Sequence, residues 1–270
     1  MLEQTARSVD PNTVLKTALL VGVLATVLFV GTANAQKAGT QEWSFPTDGS
    51  ADSSPAIADG NAYFSSRDGN VYAVKTSGGN EIWSFSTDAE AHTSPTVAGG
   101  TVYVGFGGGV LYALNASDGS RKWTFDTSGA VESSPTVADG SVYFGSGDSL
   151  YVLNASDGTQ EWRFETDGSV RSAPAVADGT VYFGSGDSLL AVDSSNGKEE
   201  WSFETGGFVR TSPTIVNGTV YFGSGDGLYA VNTSDGTERW RFEAGDAVRS
   251  SPTVVEGTVY FGSGTAAEGS

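Results

Sequence analysis

The sequence predicts an all-β fold assembled from about six copies of a four-stranded unit. The first observation is the regular spacing of the six tryptophans, which follow one another at intervals of 39 or 40 residues. The second is that the residues between them repeat one phrase, in which short apolar runs are separated by pairs such as Asp-Gly and Asn-Gly. A period of this length with four strands per repeat is typical of a β-propeller. The tryptophans are Trp43, Trp83, Trp123, Trp162, Trp201 and Trp240.

Each repeat contains four predicted strands, A to D. Strand A reads Pro-Thr-Val or a variant and ends at an X-Gly pair such as Asp139-Gly140, and strand B reads Val-Tyr-Phe-Gly, as at Val142–Gly145. Strand C reads Leu-Tyr-Ala-Val, as at Leu228–Val231, and strand D carries the tryptophan and a phenylalanine two residues later. X-Gly pairs accept positive φ and therefore predict tight hairpins. Strand B is apolar on both faces, as expected for a sheet covered on both sides by neighbouring blades.

The strand count leaves one blade incomplete. Residues 52–245 hold five complete blades in the order A-B-C-D, and residues 250–264 supply strands A and B of a sixth. Residues 41–48 supply a lone strand D. We expect this strand to close the ring by completing a composite sixth blade that has no strand C. The alternative is that the chain is a truncated version of a larger propeller.

The segment from strand C to strand D carries a family resemblance. Ala113-Leu-Asn-Ala-Ser-Asp-Gly-Ser-Arg-Lys-Trp123 resembles the tryptophan-docking motif of PQQ-like (quinoprotein-type) propeller repeats, Ala-x-Asp-x-x-x-Gly-x-x-x-Trp. The other copies end at Trp83, Trp162, Trp201 and Trp240, and a lysine or asparagine replaces the first aspartate in four of the five (Lys75, Asn115, Asn154, Asn232). The resemblance covers residues 39–264 and extends to the non-enzymatic, BamB-like branch. It implies that each tryptophan packs against the adjacent blade.

The N-terminal residues predict export. Arg7 and Lys16 precede an apolar centre at residues 18–30, and Ala33-Asn34-Ala35 has the small-x-small pattern of a signal-peptidase site. We interpret residues 1–35 as a signal peptide, or as an uncleaved N-terminal anchor, and residues 36–270 as a single propeller domain. Either interpretation places the domain outside the cytoplasm, in the cell envelope or secreted.

The charge is strongly acidic, with 32 acidic against 14 basic residues and a formal net charge of −18. Concentrated salt screens the self-repulsion that such a charge produces. We therefore expect a halophilic protein, the alternative being an ordinary acidic extracellular surface. The same field disfavours nucleic acid and anionic membranes as partners, and we expect membrane contact only through residues 1–35.

The composition excludes several kinds of catalysis. The sequence has no cysteine, so it forms neither a disulfide nor a thiolate metal site, and His92 is its only histidine. In the dehydrogenases of the resembled family, a vicinal disulfide, a catalytic aspartate and calcium ligands surround pyrroloquinoline quinone, and we find no matching positions. We expect no catalytic residue, no quinone, no calcium and no other metal. The Asp-Gly aspartates that could suggest calcium are interpreted as turn residues (Asp118, Asp157, Asp235).

One position varies while its flanking residues hardly change. It lies three residues before the proline of strand A and is Asp52, His92, Glu132, Arg171, Arg210 and Arg249 in successive blades. Sixfold symmetry would place these side chains in a ring at the mouth of the central channel. We interpret the three arginines as an arc that binds a carboxylate, a phosphate or an acidic segment, since guanidinium binds such groups bidentately. The alternative is that the arginines pair with Glu165, Glu204 and Glu243 at the ends of the D strands.

Four Asn-x-Ser/Thr sequons fall in or beside predicted turns. In an exported domain they are candidate glycosylation sites, although three of them belong to the repeat phrase and could reflect its composition alone. The asparagines are Asn115, Asn154, Asn217 and Asn232.

Together these observations predict a non-catalytic binding or scaffold propeller whose partner is another envelope or secreted protein. One alternative is a degenerate or truncated quinone-dependent dehydrogenase. Another is a polysaccharide-binding propeller, for which Phe106 and Phe208 are the candidate loop aromatics.

Overall fold

The computed structural model describes residues 41–91 and 93–264, and within them all regular secondary structure is β-strand. The predicted signal peptide lies outside these residues. No helix in the described part of the chain is long and apolar enough to cross a membrane.

Five four-stranded antiparallel sheets and one two-stranded sheet follow one another along the chain. Blade 1 contains β1 (Ala56–Ala58), β2 (Asn61–Ser65), β3 (Asn70–Lys75) and β4 (Glu81–Ser86). Blade 2 contains β5 (Thr96–Ala98), β6 (Thr101–Phe106), β7 (Val110–Asn115) and β8 (Arg121–Asp126). Blade 3 contains β9 (Thr136–Ala138), β10 (Ser141–Ser146), β11 (Ser149–Asn154) and β12 (Gln160–Glu165). Blade 4 contains β13 (Ala175–Ala177), β14 (Thr180–Ser185), β15 (Ser188–Asp193) and β16 (Glu199–Glu204). Blade 5 contains β17 (Thr214–Val216), β18 (Thr219–Ser224), β19 (Gly227–Asn232) and β20 (Glu238–Phe242), and the last sheet contains β21 (Thr253–Val255) and β22 (Thr258–Tyr260).

Within each complete blade the strands lie side by side in chain order, A-B-C-D, as predicted. The X-Gly pairs form the A–B hairpin turns: Asp139 and Gly140 both have positive φ, of 48° and 84°. Two successive left-handed residues match the twist of the strands that they join. Strands β10 and β14 are buried along their whole length, because neighbouring blades cover both of their faces.

Five of the six tryptophans dock onto the next blade, the packing that the resemblance implied, and Trp240 makes no such contact in the described residues. In blade 1, Trp83 is 7% exposed, and its indole Nε1 donates to the backbone oxygen of Ala116 in blade 2, at 2.9 Å. The ring lies so close to Gly119 that an added Cβ would meet it at 2.8 Å. Equivalent indole hydrogen bonds are made by Trp43, Trp123, Trp162 and Trp201.

The structure differs from the sequence prediction in the sixth blade. Residues 41–48 form no strand, although Trp43 donates to the backbone oxygen of Thr76 at 2.9 Å and so docks against blade 1. The sheet of β21 and β22 keeps two strands, and no hydrogen bond joins it to residues 41–60 in the described part of the chain. The composite sixth blade is therefore not seen. No strand of the described residues lies between β22 and residues 41–48, so the two segments do not belong to one sheet there.

Candidate binding face at the blade-linking loops

The loops that lead from strand D of one blade to strand A of the next are held firmly to the scaffold. The Thr127 hydroxyl lies 2.8 Å from the backbone oxygen of Gly109 and 2.7 Å from that of Gly129. On the next blade, the Ser146 hydroxyl donates to the same Gly129 oxygen at 2.8 Å. Equivalent threonine contacts hold three other loops (Thr87, Thr166, Thr205), whereas the loop after blade 5 has Ala244 at this position. These loops and the adjacent B–C turns form one end of the blades, which we call the blade-linking face.

The variable position that the sequence singled out lies on this face, between two buried anchors. Val170 and Ser172 are each 1% exposed, and the Ser172 hydroxyl accepts a hydrogen bond from the Gly184 amide at 2.7 Å. Arg171 stands between them with 44% of its side chain exposed. Because its neighbours point into the fold, the variable side chain points to solvent, which is the placement expected for a recognition residue.

Two members of the predicted ring contact each other. Arg171 Nη2 lies 3.1 Å from Glu132 Oε2 on the preceding blade. Equivalent positions of neighbouring blades are therefore close enough to touch, as the ring interpretation requires. The same contact neutralises one of the three arginines of the predicted arc.

Asp52, another acidic member of the predicted ring, also forms an ion pair. Asp52 pairs with Arg67, with 2.6 Å between Oδ2 and Nε. His92 lies outside the described residues. The alternative pairing of the three arginines with Glu165, Glu204 and Glu243 is not seen among the described residues. Glu165 contacts Arg163 instead, and Glu243 contacts Arg241.

Arg210 and Arg249 make no ion pair in the described part of the chain. The guanidinium carbon of Arg210 lies over the ring of Phe208, 5.1 Å from its centroid, and the Phe208 side chain is 62% exposed. Arg249 Nε donates to the backbone oxygen of Gly264 at 3.3 Å. We call Phe208, Arg210 and Arg249 the Arg–Phe patch.

The two arginines of the patch occupy equivalent positions on blade 5 and the last sheet. Two residues further along the chain, the Ser212 amide donates to the Ser251 hydroxyl at 3.0 Å, so the two segments run side by side. The Glu132–Arg171 contact shows how short the separation between such positions is. Arg210 and Arg249 therefore lie on neighbouring segments of the blade-linking face.

A carboxylate beside the patch is already satisfied by protein donors. Asp226 accepts hydrogen bonds from the Tyr229 hydroxyl at 2.7 Å, the Ser224 hydroxyl at 2.9 Å and the Gly206 amide at 3.1 Å. Burial raises the pKa of Asp226, but these hydrogen bonds outweigh burial and hold the pKa below its usual value. These hydrogen bonds already satisfy the Asp226 carboxylate, so it attracts the arginines of the patch less strongly.

The remaining predicted positions lie at the opposite end of the blades, in the A–B and C–D turns. Asp118 Oδ1 accepts from the Ser120 amide at 2.9 Å, and its pKa is lowered by hydrogen bonds from the Ser120 side chain and amide. Asp157 and Asp235 make the same contacts, which supports their interpretation as turn residues. No group of three or more acidic, histidine or cysteine side chains in the described residues is close enough together to hold a metal ion.

The sequon asparagines take part in the same turns. Asn115 and Asn154 each accept hydrogen bonds from the amide and hydroxyl of the serine two residues later. Asn217 has a left-handed φ of 49°, and Asn232 Nδ2 donates to the Thr237 hydroxyl at 2.6 Å. Glycosylation of these residues stays a prediction.

One aromatic residue was placed wrongly by the sequence. Phe106 is 1% exposed and belongs to strand β6, where it packs against Tyr112 at a centroid distance of 5.2 Å. It is therefore a core residue, not a loop aromatic. Phe208 keeps the exposed loop position that was predicted for it. At the same position the other blades have Ser50, Glu90, Ala130, Ser169 and Ala247, and this difference is the sequence signal for the patch.

Two shallow cavities, of about 300 and 340 Å³, lie beside outer strands of blades 5 and 4. The larger is lined by carboxylates, which would repel an anionic ligand (Glu165, Asp167, Asp187, Glu199, Glu204). Among the described residues, no three of these carboxylates are close enough together to hold a metal ion.

Comparison with known proteins gives one family and a common architecture. The family model described as outer membrane protein assembly factor BamB matches residues 30–147, 127–227 and 209–268. BamB from Moraxella catarrhalis has a similar structure, with a TM-score of 0.69, 20% sequence identity, and coverage of 78% of this chain and 70% of that one. No curated protein sequence matches the chain.

Two quinohemoprotein alcohol dehydrogenases share the architecture. ADHIIG from Pseudomonas putida HK5 matches with a TM-score of 0.66 and 18% identity, over 75% of this chain and 43% of that one. The enzyme from Comamonas testosteroni matches with a TM-score of 0.64 and 17% identity, over 72% and 43%. The chain thus spans less than half the length of either dehydrogenase. At these identities the likeness shows the propeller fold, which hosts both kinds of protein.

Proposed function

Because the chain belongs to the PQQ-like propeller family described as outer membrane protein assembly factor BamB, we propose that it is a non-catalytic, extracytoplasmic scaffold that holds a partner polypeptide on its blade-linking face. The partner would be another envelope or secreted protein. Its contact would be an acidic segment that binds the Arg–Phe patch.

The observation that carries this proposal is the state of Arg210. Its guanidinium lies over an exposed phenylalanine and has no carboxylate partner in the described residues, whereas Arg171 is paired. Stacking on Phe208 restricts the side chain before binding, so less conformational entropy is lost when a carboxylate docks. Phe208 adds an apolar contact next to the charge, and such an aromatic and arginine pair is typical of protein-binding hot spots.

A degenerate dehydrogenase is the second candidate, favoured by the shared fold of the two alcohol dehydrogenases. The residues present do not fit its cofactor. The sequence has no cysteine for a vicinal disulfide, and the described carboxylates form no group that could ligate calcium.

The experiment is affinity capture from cell envelopes at native salt, with crosslinking. It compares the wild type with the double variant Arg210→Glu, Arg249→Glu. The matched control is Arg121→Glu, Lys198→Glu, which changes the net charge equally at exposed residues on the other end of the blades. We expect a defined polypeptide to be captured by the wild type and the control and lost in the patch variant. Equal capture by both variants would contradict the assignment of the patch.

The scaffold function itself is tested by the same capture and by spectroscopy. If no form of the protein retains a polypeptide, and adding pyrroloquinoline quinone with calcium produces a bound-cofactor absorbance band, the enzyme candidate replaces the scaffold.

A further inference from the structure

Blade 4 departs from the repeat on the side that faces the preceding blade. The third residue of strand C is Leu190 in blade 4 and a tyrosine in the other four complete blades (Tyr72, Tyr112, Tyr151, Tyr229). The residue paired with it on strand D is an arginine in blades 3 and 5, whereas Leu190 is paired with Ser202. Blade 4 therefore lacks both the ring and the guanidinium that blades 3 and 5 place here.

In blades 3 and 5 the arginine beside this tyrosine neutralises a carboxylate. The guanidinium carbon of Arg163 lies over the ring of Tyr151, 5.4 Å from its centroid. Arg163 also pairs with Glu165, two residues further along the strand. In blade 5, Arg241 pairs with Glu243 in the same way, at 3.2 Å. Each of the two carboxylates thus has a cation of its own blade beside it.

Glu204 is the equivalent carboxylate of blade 4, and it has no cation in the described residues. Ser202 stands where blades 3 and 5 have the arginine. The next residue, Thr205, donates its amide to the backbone oxygen of Asp187 at 2.9 Å, so Glu204 lies beside the turn that carries Asp187. Two exposed carboxylates are thus adjacent without a basic partner in the described part of the chain.

Asp187 has also lost a hydrogen-bond donor. The equivalent Asp226 of blade 5 accepts a hydrogen bond from the Tyr229 hydroxyl at 2.7 Å. Leu190 replaces this tyrosine in blade 4 and has no hydroxyl to donate. The Ser188 hydroxyl, 3.3 Å away, is the one side-chain donor that Asp187 keeps among the described residues. Because a carboxylate can accept several hydrogen bonds, Asp187 keeps free acceptor positions.

The larger of the two cavities, of about 340 Å³, lies where these residues are replaced. Leu190, which is 8% exposed, and Phe164 of blade 3 form its apolar lining. Its sides are the loop after β12 and the B–C turn of blade 4, residues 165–168 and 185–188, together with Glu204. We call this cavity the blade 4 groove. Five carboxylates line it, and no lysine or arginine does.

The groove lies away from both ends of the described chain. Trp43 docks at the C–D turn of blade 1, which is at the opposite end of the blades from the loops of the groove. Blade 5 separates blade 4 from the last sheet and Gly264, and residues 265–270 contain no lysine or arginine. The complementary charge is therefore expected from another molecule.

The groove fits the side chain that blade 4 lacks. An arginine combines an aliphatic stem, which can lie on Leu190 and Phe164, with a planar guanidinium that binds carboxylates bidentately. A lysine is more strongly hydrated and has no such planar fork. The chain itself shows this pairing in blades 3 and 5, where an arginine lies beside the equivalent glutamate.

We propose that the blade 4 groove binds an arginine side chain of a partner polypeptide. The guanidinium would lie between Glu204 and Asp187, and the stem would contact Leu190 and Phe164. This site has the opposite charge to the Arg–Phe patch, and its assignment does not depend on that of the patch.

The probe is the synthetic peptide acetyl-Gly-Ser-Arg-Ser-Gly-amide, titrated into the isotope-labelled whole protein. Amide chemical shifts in two-dimensional NMR spectra locate the bound peptide, and we expect saturable shifts at Asp187, Ser188 and Leu190. A second peptide carries citrulline, which keeps the shape of arginine without its charge, and should bind at least about tenfold more weakly. A third carries lysine and should bind more weakly than the arginine peptide.

Protein variants test the groove from the other side. Leu190→Tyr, Ser202→Arg gives blade 4 the pair that blades 3 and 5 carry, so it should fill the groove and abolish the shifts without lowering the melting temperature. Glu204→Gln removes the unpaired carboxylate and should weaken binding about threefold. The matched control is Glu243→Gln, which removes the same charge from a carboxylate that already has an arginine partner, and should bind like the wild type.

The peptide series and the variants each give a decisive outcome. Absence of saturable shifts, shifts that lie outside the groove, or equal binding of the citrulline peptide would overturn the proposal. So would unchanged binding by the filled variant. Spermidine is titrated in parallel, and binding at least as tight as that of the arginine peptide would assign the groove to a free polyamine instead. Circular dichroism establishes that each variant is folded, and Glu204→Gln with its control gives the answer if the double variant is not.

Discussion

The tryptophan docking contacts predict that two glycines of blade 5 differ sharply in their tolerance of alanine. Gly236 and Gly218 have nearly the same positive φ, 68° and 70°. A Cβ on Gly236 would lie 2.5 Å from Cε3 of Trp201, whereas a Cβ on Gly218 would meet nothing closer than the Thr233 hydroxyl at 3.8 Å. Both substitutions add the same backbone strain, but only Gly236→Ala displaces an indole.

The expected cost of each change follows from these contacts. A non-glycine residue in the left-handed region costs roughly 1–2 kcal/mol, and this is the whole effect of Gly218→Ala. Gly236→Ala also breaks the Trp201 indole hydrogen bond to the backbone oxygen of Thr233 at 2.9 Å, worth about 1 kcal/mol. It further exposes part of a ring that is 8% exposed, and loss of a whole buried tryptophan costs about 3–5 kcal/mol. We expect Gly236→Ala to lower the free energy of unfolding by about 3–5 kcal/mol.

Urea unfolding in buffered salt, followed by circular dichroism and by tryptophan fluorescence, measures both variants against the wild type. A red shift of the native emission is expected only for Gly236→Ala, because only that change moves an indole towards water. Equal loss of stability in the two variants would show that the contact between Gly236 and the Trp201 indole adds nothing to stability beyond glycine's backbone freedom.

Three further predictions concern the loops and the charge. Thr205→Val removes a hydroxyl that contacts the backbone oxygens of Asp187 and Gly207. In urea titrations it should lower the free energy of unfolding by about 1–3 kcal/mol. The control Thr47→Val, at a partly buried position with one such contact, should lower it less. The pKa of Asp226 is lower in the folded than in the unfolded protein, so its stabilisation is present above its usual pKa of about 3.9 and lost as pH falls through the folded pKa. Unfolding titrations between about pH 3 and 7 should therefore show a shallower acid-side fall for Asp226→Asn than for the wild type, and identical slopes would contradict this. With a net charge of −18, thermal melts should shift upward between about 0.1 and 1 M KCl as the Debye length shortens from about 10 to 3 Å, and a downward shift would refute adaptation to salt.

The propeller could be predicted from sequence because its determinants are local and repeated. The left-handed turns at Asp139-Gly140 and Asn217-Gly218 need only neighbouring residues, and the period of 39 or 40 residues multiplies the signal of each strand. The tryptophan docking contacts were implied by the family motif, and the structure shows each of the first five in place. Strand identity within a blade follows from the same repeated phrase.

The pairing within the candidate site could not be predicted, because it depends on the distance between blades. Arg171 and Glu132 are 39 residues apart in sequence, and only the blade spacing brings them to 3.1 Å. The segment 41–48 keeps the tryptophan and phenylalanine of a strand D, but a strand also needs a neighbouring ladder, and this one has none in the described residues. Phe106 follows a Tyr-Val-Gly run that continues strand β6 into the core, so its position near a predicted turn was misleading.

The anchoring of the variable position explains why binding can be tested there without unfolding the protein. Val209 and Thr211, which flank Arg210, are each 1% exposed, and Thr211 is fixed to strand β18 through hydrogen bonds with both the amide and the oxygen of Gly223. The backbone at Arg210 is therefore set by its neighbours and not by its own side chain. Exposed substitutions away from such anchors usually change stability by less than about 0.5 kcal/mol. A loss of partner capture in the Arg210→Glu, Arg249→Glu variant would then report on the guanidinium groups themselves, and a thermal melt equal to that of the charge-matched control would establish this.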